Sequence, residues 1–374
     1  MLKQPLPFEP NPSQRRQMPL FNTNKVPRYL FRVHTPTSAG KTTVSSVVPP
    51  ASSCGSAGET RDLFSLRPSY AAALLNNHLW WVQAHEANCN FVSWTSSLLF
   101  ALHYTLHRHR GSRDKSALAD ISLLVLDTRG LPAGTFVSEM EILKVFAEHE
   151  HEPAGTAPRR TLRKLVEIRE RPGNRTYGEY LSQGDLDIRG RCAQTTMQKV
   201  IDLGMFELLK ELSRERLWEN LANSVIVLRE ELWPRAYADA SPATHFEVRK
   251  AITIADACFG DRWTVPLTAM LLALRRRKRN DSVIVQGIAA MFSPSEIERL
   301  SLGDIKAYDR IPEVEQFQMI IDDIHGHFAG GTTSLADSVE DLSGSQVPVL
   351  IGATIMPSDF ASEELINRFA GMGL

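Results

Sequence analysis

Several features that mark particular protein classes are scarce or missing in this 374-residue chain. Its four cysteines, Cys54, Cys89, Cys192 and Cys258, lie far apart, without a Cys-x-x-Cys pair or zinc-ligand spacing. This excludes a disulfide-rich framework and favours reduced thiols in an intracellular, cytoplasmic setting. Apolar runs stay well below the roughly 18 residues that a membrane span needs, so no membrane association is expected.

Charge of one sign is not in excess either. Lys and Arg total 42 against 43 for Asp and Glu, which gives a formal net charge of -1. A balance this even provides no field that would draw the whole chain to nucleic acid. The local exception is RRRKR at Arg275–Arg279. It predicts either a solvated helix end or, alternatively, a nuclear localisation signal or phosphate-binding patch.

Motifs of several enzyme classes are also missing. The segment SAGKT at residues 38–42 suggests a phosphate-binding loop, but the first glycine of that motif would fall at Thr35. Neither a metalloprotease HExxH nor a GxSxG nucleophile elbow occurs. Two histidine pairs are spaced i,i+2 and face different sides of a helix, so they cannot chelate one ion: His107 with His109, and His149 with His151. No metal site is predicted.

Composition divides the chain into four segments. Residues 1–26 are rich in Pro, Asn and Gln, which predicts a flexible lead-in. Residues 27–215 mix strand and helix patterns and predict an α+β domain. Residues 216–329 carry helical apolar spacing with few strand signals, which predicts a mostly helical domain. Residues 330–374 are rich in Gly, Ser, Thr and Asp and predict a loosely packed tail.

Four strand predictions organise the first half of the chain. They are Tyr29–Val33, Phe91–Thr95 with a helix following from Ser96 or Ser97 to Gly111, Ile121–Asp127, and Glu179–Gly184. Residues 35–61 are predicted to be a Ser/Thr/Gly/Pro loop, and Thr195–Leu212 a helix broken near Gly204. The pattern of Leu162–Glu170 fits a strand or a helix.

Chemically suggestive side chains fall on three of these strands. Arg32 lies inside the first, Ser93 and Thr95 on the second, and an isolated Glu179 begins the last, ahead of a glycine turn. Each has an ordinary alternative when taken singly. Arg32 could pair with an acid across the sheet, and Glu179 could be a surface carboxylate. Ser93 and Thr95 could be strand residues facing solvent.

Taken in order, the pieces resemble the cholera-toxin and pierisin branch of the mono-ADP-ribosyltransferases. That branch starts with a strand like Leu-Tyr-Arg and continues with a helix carrying Asn and His and a strand like Phe-Val-Ser-Thr-Ser. A hydrophobic strand ending in Asp or Ala follows, and the last piece is a Glu before a glycine. The corresponding segments here are Leu30-Phe31-Arg32-Val33, Leu75-Asn76-Asn77-His78, Phe91-Val92-Ser93-Trp94-Thr95-Ser96, ISLLVLD at 121–127, and Tyr177-Gly178-Glu179 through Gly184.

The chain as a whole also resembles a family of filamentous-fungal proteins. It shares with them the LFRV start, the SWTSSLLFAL segment and the FG…P…LLALRRR segment at Phe259–Arg277. That resemblance adds the expectation of a role accessory to a fungal defence or secondary-metabolite locus.

The transferase resemblance implies an α+β fold with a split β-sheet over residues 27–215, followed by a mostly α-helical C-terminal region. It implies NAD as co-substrate, without a metal. Glu179 and Ser93 are then catalytic: the carboxylate stabilises the oxocarbenium-like cation as nicotinamide leaves, and the serine holds the carboxylate. Arg32 would contact the phosphates. Thr95, Trp94 and Tyr177 complete the expected cofactor-binding set, the two aromatic rings by stacking on nicotinamide.

One departure limits the expected reaction. Relatives that modify arginine carry Glu-x-Glu, and those that modify DNA bases carry Gln-x-Glu, whereas this chain has Tyr177 at the upstream position. A tyrosine cannot serve as the carboxylate base that activates an arginine acceptor. Transfer to another acceptor (a protein, a nucleic acid or a small molecule), hydrolysis of NAD, and a non-catalytic interaction module all stay open. In the last case the helical C-terminal region would bind a protein partner.

Overall fold

The computed structural model describes residues 5–53, 60–111, 115–150, 160–171, 176–233 and 240–339. These residues form nine strands: β1 (Tyr29–His34), β2 (Lys41–Thr42), β3 (Ser46–Val48), β4 (Phe91–Thr95), β5 (Ser122–Asp127), β6 (Val137–Ser138), β7 (Glu179–Gln183), β8 (Leu186–Asp187) and β9 (Cys192–Thr196).

Helices α1 to α9 alternate with the strands: α1 (Pro12–Arg16), α2 (Pro19–Asn22), α3 (Pro50–Ser53), α4 (Pro68–Leu79), α5 (Leu98–Arg110), α6 (Glu139–Phe146), α7 (Leu162–Glu170), α8 (Met197–Asp202) and α9 (Met205–Leu208). The rest of the described chain is helical: α10 (Leu221–Leu232), α11 (His245–Phe259), α12 (Thr264–Leu272), α13 (Ser282–Ala289), α14 (Pro294–Arg299) and α15 (Pro312–Val339). The α+β class and the helical C-terminal region are therefore confirmed.

The strands form two antiparallel sheets. The larger has the order β6-β7-β4-β1-β5-β9, and the smaller has the order β2-β3-β8. Numbered along the chain, the six strands of the larger sheet lie in the order fourth, fifth, second, first, third, sixth. The strands that carry Glu179, Ser93 and Arg32, namely β7, β4 and β1, are consecutive neighbours.

The larger sheet opens between β1 and β4. β1 pairs with β5 over six residues, and β4 pairs with β7 over five. Between β1 and β4, in contrast, the register contains a single pair, Phe31 with Thr95. One step further along β1 lies Arg32, so the strands separate at the position of its side chain.

The main hydrophobic core joins the sheet to the C-terminal helices. Phe31 of β1 and Leu99 of α5 share one buried cluster with Ile252 of α11 and Leu272 of α12, so this cluster crosses the expected boundary between residues 215 and 216. Leu271–Leu274 are all buried in this cluster. A second cluster lies between the two sheets and contains Leu30, Val47, Trp94 and Tyr180.

Several local expectations need correction. Residues 5–26, expected to be flexible, pack against the domain: Phe8 and Met18 are buried, and an Asn11 capping box begins α1. Residues 35–61, expected to be a loop, contain β2, β3 and α3. Leu162–Glu170 is a helix. Thr195 and Thr196 end strand β9, and Thr196 caps α8, so that helix begins at Met197, two residues later than expected.

The structure also departs from the predictions of a solvated basic run at Arg275–Arg279 and of a loosely packed tail from residue 330. Arg277 is buried and paired with Glu247, Arg275 contacts Glu211, and Arg279 contacts Asp323, so this run takes part in internal ion pairs. Residues 330–339, assigned to the tail, continue α15. From residue 340 onward the predicted tail lies outside the described residues. No helix among the described residues is both long and apolar enough to cross a membrane.

Candidate functional site

A cavity of about 580 Å³ opens where β1 and β4 separate. Arg32, Ser93, Trp94, Thr95 and Glu179 all line it, so five of the six predicted site residues meet there. The other walls come from α4, α5 and the loop that follows β1. This volume falls in the range typical of small-molecule sites.

Arg32 reaches across the gap between the strands. Its Nη1 donates to the backbone oxygen of Ser93 at 3.1 Å, and its Nε donates to Thr42 Oγ1 at 3.0 Å. Among the described residues, no carboxylate lies within ion-pair distance of this guanidinium. Burial lowers the pKa of Arg32 to about 10, and the positive charge of Arg108 acts in the same direction. The alternative that Arg32 pairs with an acid across the sheet is not what this structure contains.

Ser93 is held by a histidine rather than by Glu179. Its Oγ lies 2.8 Å from Nε2 of His78, whose Nδ1 lies 3.0 Å from Cys89 Sγ. Burial, assisted by the Arg32 charge, lowers the pKa of His78 to about 4, so the imidazole is neutral near pH 7. Burial likewise raises the pKa of the Cys89 thiol to about 11.

The register explains why Ser93 does not reach Glu179. Thr95 lies opposite Glu179, whereas Ser93 lies opposite Leu181. Ser93 and Glu179 are therefore diagonal neighbours, with Cα atoms about 7–8 Å apart in an ordinary antiparallel pair. A direct hydrogen bond between them is not among the contacts of the described residues.

Glu179 is bound on its other side by charged residues from two helices. Its Oε2 lies 2.5 Å from Nη2 of Arg169, near the end of α7, and the same nitrogen lies 3.3 Å from Glu139 Oε1, at the start of α6. Burial raises the pKa of Glu179 well above its usual value, and the neighbouring Glu139 carboxylate raises it further, against the opposing effect of Arg169. The two carboxylates thus contact the same guanidinium nitrogen.

The turn before Glu179 depends on glycine. Gly178 has φ +61, and a Cβ at this position would overlap Ser96 Oγ. The Gly178 carbonyl accepts from the Ser96 amide at 2.8 Å. The entry into β7 is therefore fixed to the end of β4.

The two predicted stacking residues are buried away from a ligand. Trp94 borders the cavity, but its side chain lies in the cluster between the sheets and its indole donates to Ser182 Oγ at 2.9 Å. Tyr177 stacks on Phe100 at 4.9 Å between ring centroids, and its hydroxyl donates to the Ala222 carbonyl. Thr95 Oγ1 donates to the Tyr177 carbonyl at 2.6 Å, so Thr95 supports the wall of the cavity.

A different aromatic side chain faces the cavity. Trp81, just after α4, is 58% exposed and stacks on Tyr104 at 5.9 Å between ring centroids. Arg108 follows Tyr104 by one turn of α5, and its guanidinium lies over the Tyr104 ring, with Cζ 5.7 Å from the ring centroid. Nδ1 of His107 contacts the Trp218 carbonyl and Nδ1 of His109 contacts the Ser116 carbonyl.

Sequence reasoning missed five residues of this site: His78, Trp81, Arg108, Glu139 and Arg169. The Asn-Asn-His segment of the resemblance contained His78, so a signal for it was present. Arg108 lies near the C-terminus of a predicted helix, where a positive charge is ordinary and signals no site. Arg169 lay in the segment that could not be assigned, and neither Glu139 nor Trp81 stood in any motif.

Comparison with known proteins adds one finding. A family model described as a domain of unknown function (DUF7587) matches residues 25–186. The matched range contains β1, β4 and β7 and hence Arg32, Ser93 and Glu179. No curated protein and no solved structure matches the chain. Among the described residues, no group of three or more His, Cys, Asp or Glu side chains is arranged to hold a metal ion.

Proposed function

We propose that the cavity binds NAD and that Glu179 promotes cleavage of the bond between nicotinamide and ribose. The observation that carries this proposal is Arg32: a half-buried guanidinium without a carboxylate partner among the described residues, lining one cavity with Ser93 and Glu179. A buried charge is costly unless it is compensated. A phosphate group would compensate it and could accept two parallel hydrogen bonds from the guanidinium.

The charge of the whole cavity supports an anionic ligand. Arg32, Arg108 and Arg160 line it, opposed by Glu86 and by Glu179, which is already paired with Arg169. A pyrophosphate-containing ligand fits this excess of positive charge. An arginine side chain as acceptor does not, because the cations would repel it.

The strand arrangement supports an ADP-ribosyltransferase-like split sheet as the finer description of the fold. Arg, Ser-x-Thr and Glu lie on three adjacent strands in the order of the resemblance, and the sheet opens between the first two.

The proposed chemistry breaks the bond between ribose C1′ and the nicotinamide nitrogen. The bonding electron pair leaves with nicotinamide, which becomes neutral, and positive charge develops on the ribose. The ionised Glu179 carboxylate stabilises that charge. An acceptor oxygen or nitrogen then bonds to C1′ and releases its proton. With water as acceptor the products are ADP-ribose, nicotinamide and one proton.

The contacts of Tyr177 limit which classes of acceptor can react. Its hydroxyl is committed to the Ala222 carbonyl and its ring to Phe100, so it is not placed to activate an acceptor. Hydrolysis, or transfer to an acceptor that needs no base at that position, is the proposed outcome.

A second candidate function is a nucleotide-binding module without catalysis, whose helical C-terminal region binds a protein partner. The ion pair of Glu179 with Arg169 favours it, because a carboxylate held by a guanidinium stabilises a cation less well. NAD would then bind without being consumed.

The deciding experiment combines calorimetry of NAD binding with release of labelled nicotinamide. We expect Glu179→Gln to retain NAD affinity and to lower cleavage about 10²–10³-fold, since glutamine keeps the size but loses the charge. Arg189→Met, at an exposed arginine that does not line the cavity, is the control and should change neither. Tight NAD binding without any cleavage by the unmodified protein would favour the second function; no binding would refute both.

A further inference from the structure

Trp81 combines exposure with an unfavourable backbone conformation. Its φ is +53, and the Val82 amide closes the turn by donating to the Asn77 carbonyl at 2.9 Å. Helix ends of this kind usually place glycine or asparagine at the left-handed position, because a bulky side chain is strained there. With 58% of the residue exposed, burial of the indole does not account for a tryptophan at this position.

The exposed indole begins a row of stacked rings that leads into the cavity wall. Trp81 stacks on Tyr104 at 5.9 Å, Tyr104 on Phe100 at 6.0 Å, and Phe100 on Tyr177 at 4.9 Å. Tyr177 is covered by Arg169, which binds Glu179. Trp81 therefore lies at the opposite end of the row from the Glu179 carboxylate.

Cationic and hydroxyl groups lie beside this aromatic end. Arg108 Nη2 donates to Thr35 Oγ1 at 2.8 Å and to Ser38 Oγ at 3.2 Å, and its charge acts on Arg32. Arg32, Ser38, Arg108 and Trp81 all line the same cavity. A ligand with a planar ring and adjacent phosphates matches this combination.

We propose that Trp81 and Arg108 form a subsite for a purine nucleoside diphosphate, with the base stacked on the indole and the phosphates between Arg108 and Arg32. A purine is favoured over a smaller ring because its larger face covers more of the indole. This subsite rests on the proposed function for its place in catalysis: it takes the adenosine half of the dinucleotide and leaves the nicotinamide half beside Glu179.

The test measures the binding of ADP and of inorganic pyrophosphate to the full chain by calorimetry. Pyrophosphate has the charge of the ligand without its base. We expect Trp81→Gly to weaken ADP binding about tenfold or more, as loss of a base-stacking side chain does, and to leave pyrophosphate binding unchanged. Trp81→Phe should retain most of the ADP affinity. Arg108→Gln should weaken both ligands.

The choice of glycine guards against misfolding. Glycine suits the left-handed turn, so Trp81→Gly should unfold at the same temperature as the unmodified protein or higher. Tyr70→Ala is the matched control, since Tyr70 is 47% exposed on α4 and does not line the cavity. It should change neither affinity.

Three results would overturn the subsite: no ADP binding, ADP affinity no higher than that of pyrophosphate, or equal loss of both ligands in Trp81→Gly. If Trp81→Gly weakens ADP binding but not pyrophosphate binding, and the unmodified protein does not cleave NAD, the subsite is supported and the proposed cleavage is refuted. Failure of the two proposals is thereby distinguished.

Discussion

Two arginines in this protein, Arg229 and the half-buried Arg32, have opposite surroundings. Arg229 of α10 is fully buried and faces the Glu313 carboxylate, with Nη2 2.6 Å and Nε 3.1 Å from its oxygens. It also donates to the Thr176 carbonyl at 2.6 Å. Arg32 is bound by two neutral oxygens, one from Ser93 and one from Thr42.

The difference separates a structural charge from one suited to a ligand. Arg229 and Glu313 join the helical region to the segment that leads into β7, and Ser97 at the start of α5 donates to the same Glu313 carboxylate. Both charged groups there, the Arg229 guanidinium and the Glu313 carboxylate, have partners within the chain. At Arg32 the matching anion is missing from the described residues, and the cavity gives it room to bind.

The largest effect is expected from breaking the Arg229 pair. Glu313→Leu leaves the guanidinium buried and unpaired, so the free energy of unfolding should fall by about 3–5 kcal/mol. Urea denaturation measures this change. The double variant Arg229→Met/Glu313→Leu should regain much of the loss, because no isolated charge stays behind. Equal destabilisation of the single and double variants would contradict this account.

Arg32→Met should behave in the opposite way. Removing a charge that has no internal counter-ion should leave the free energy of unfolding unchanged or raise it by about 1 kcal/mol. NAD binding should weaken by about 2–5 kcal/mol, the usual cost of deleting one partner of a buried charge pair. Thermal unfolding and calorimetry on the same sample test both. Marked destabilisation without loss of binding would assign Arg32 to the structural class with Arg229.

The main features of the sheet could be predicted because their patterns are local. Tyr29–Val33 and Phe91–Thr95 are β-rich segments bounded by breakers, and both were found within one residue. Their chemistry-bearing residues then meet because β1, β4 and β7 are neighbours. The short strands β2, β3 and β8 have two or three residues each, too few to show a periodic pattern.

Other parts of the site depend on distant pairing that a sequence does not display. Glu139 and Arg169 belong to different helices and meet at Glu179 through the packing of α6 against α7. Trp81 stacks on Tyr104 from a backbone position with positive φ, which is unusual for tryptophan, so no sequence pattern indicated this contact. Residues 5–26 pack because single apolar residues, Phe8 and Met18, fill sites on the domain.

The raised pKa of Glu179, next to Glu139, leads us to expect that cleavage depends on pH. The raised pKa of Glu179 means that the ionised form needed for catalysis accumulates as pH rises, so cleavage should increase with pH through that pKa. Glu139→Gln removes a neighbouring negative charge and should shift the profile toward lower pH by about one unit. Glu170→Gln, at an exposed carboxylate paired with Lys144, is the control and should leave the profile unchanged. A shift toward higher pH in Glu139→Gln would contradict the effect of the Glu139 charge on Glu179.

The smallest expected effect concerns His78, which contacts Ser93, and its contribution to the pH dependence of the protein's stability. The pKa of His78 is about 4 in the folded protein, below its ordinary value of 6.5, so the unfolded chain binds the proton more readily. Its contribution to stability is complete above pH 6.5 and is lost as pH falls toward 4. Between pH 6 and pH 5 this amounts to about 1 kcal/mol. Burial also lowers the pKa of His103 to about 4, which adds a similar loss. In urea denaturation, the loss of stability between the two pH values should therefore be about 1 kcal/mol smaller in His78→Gln than in the unmodified protein. An unaltered loss would mean that His78 is protonated alike in both states.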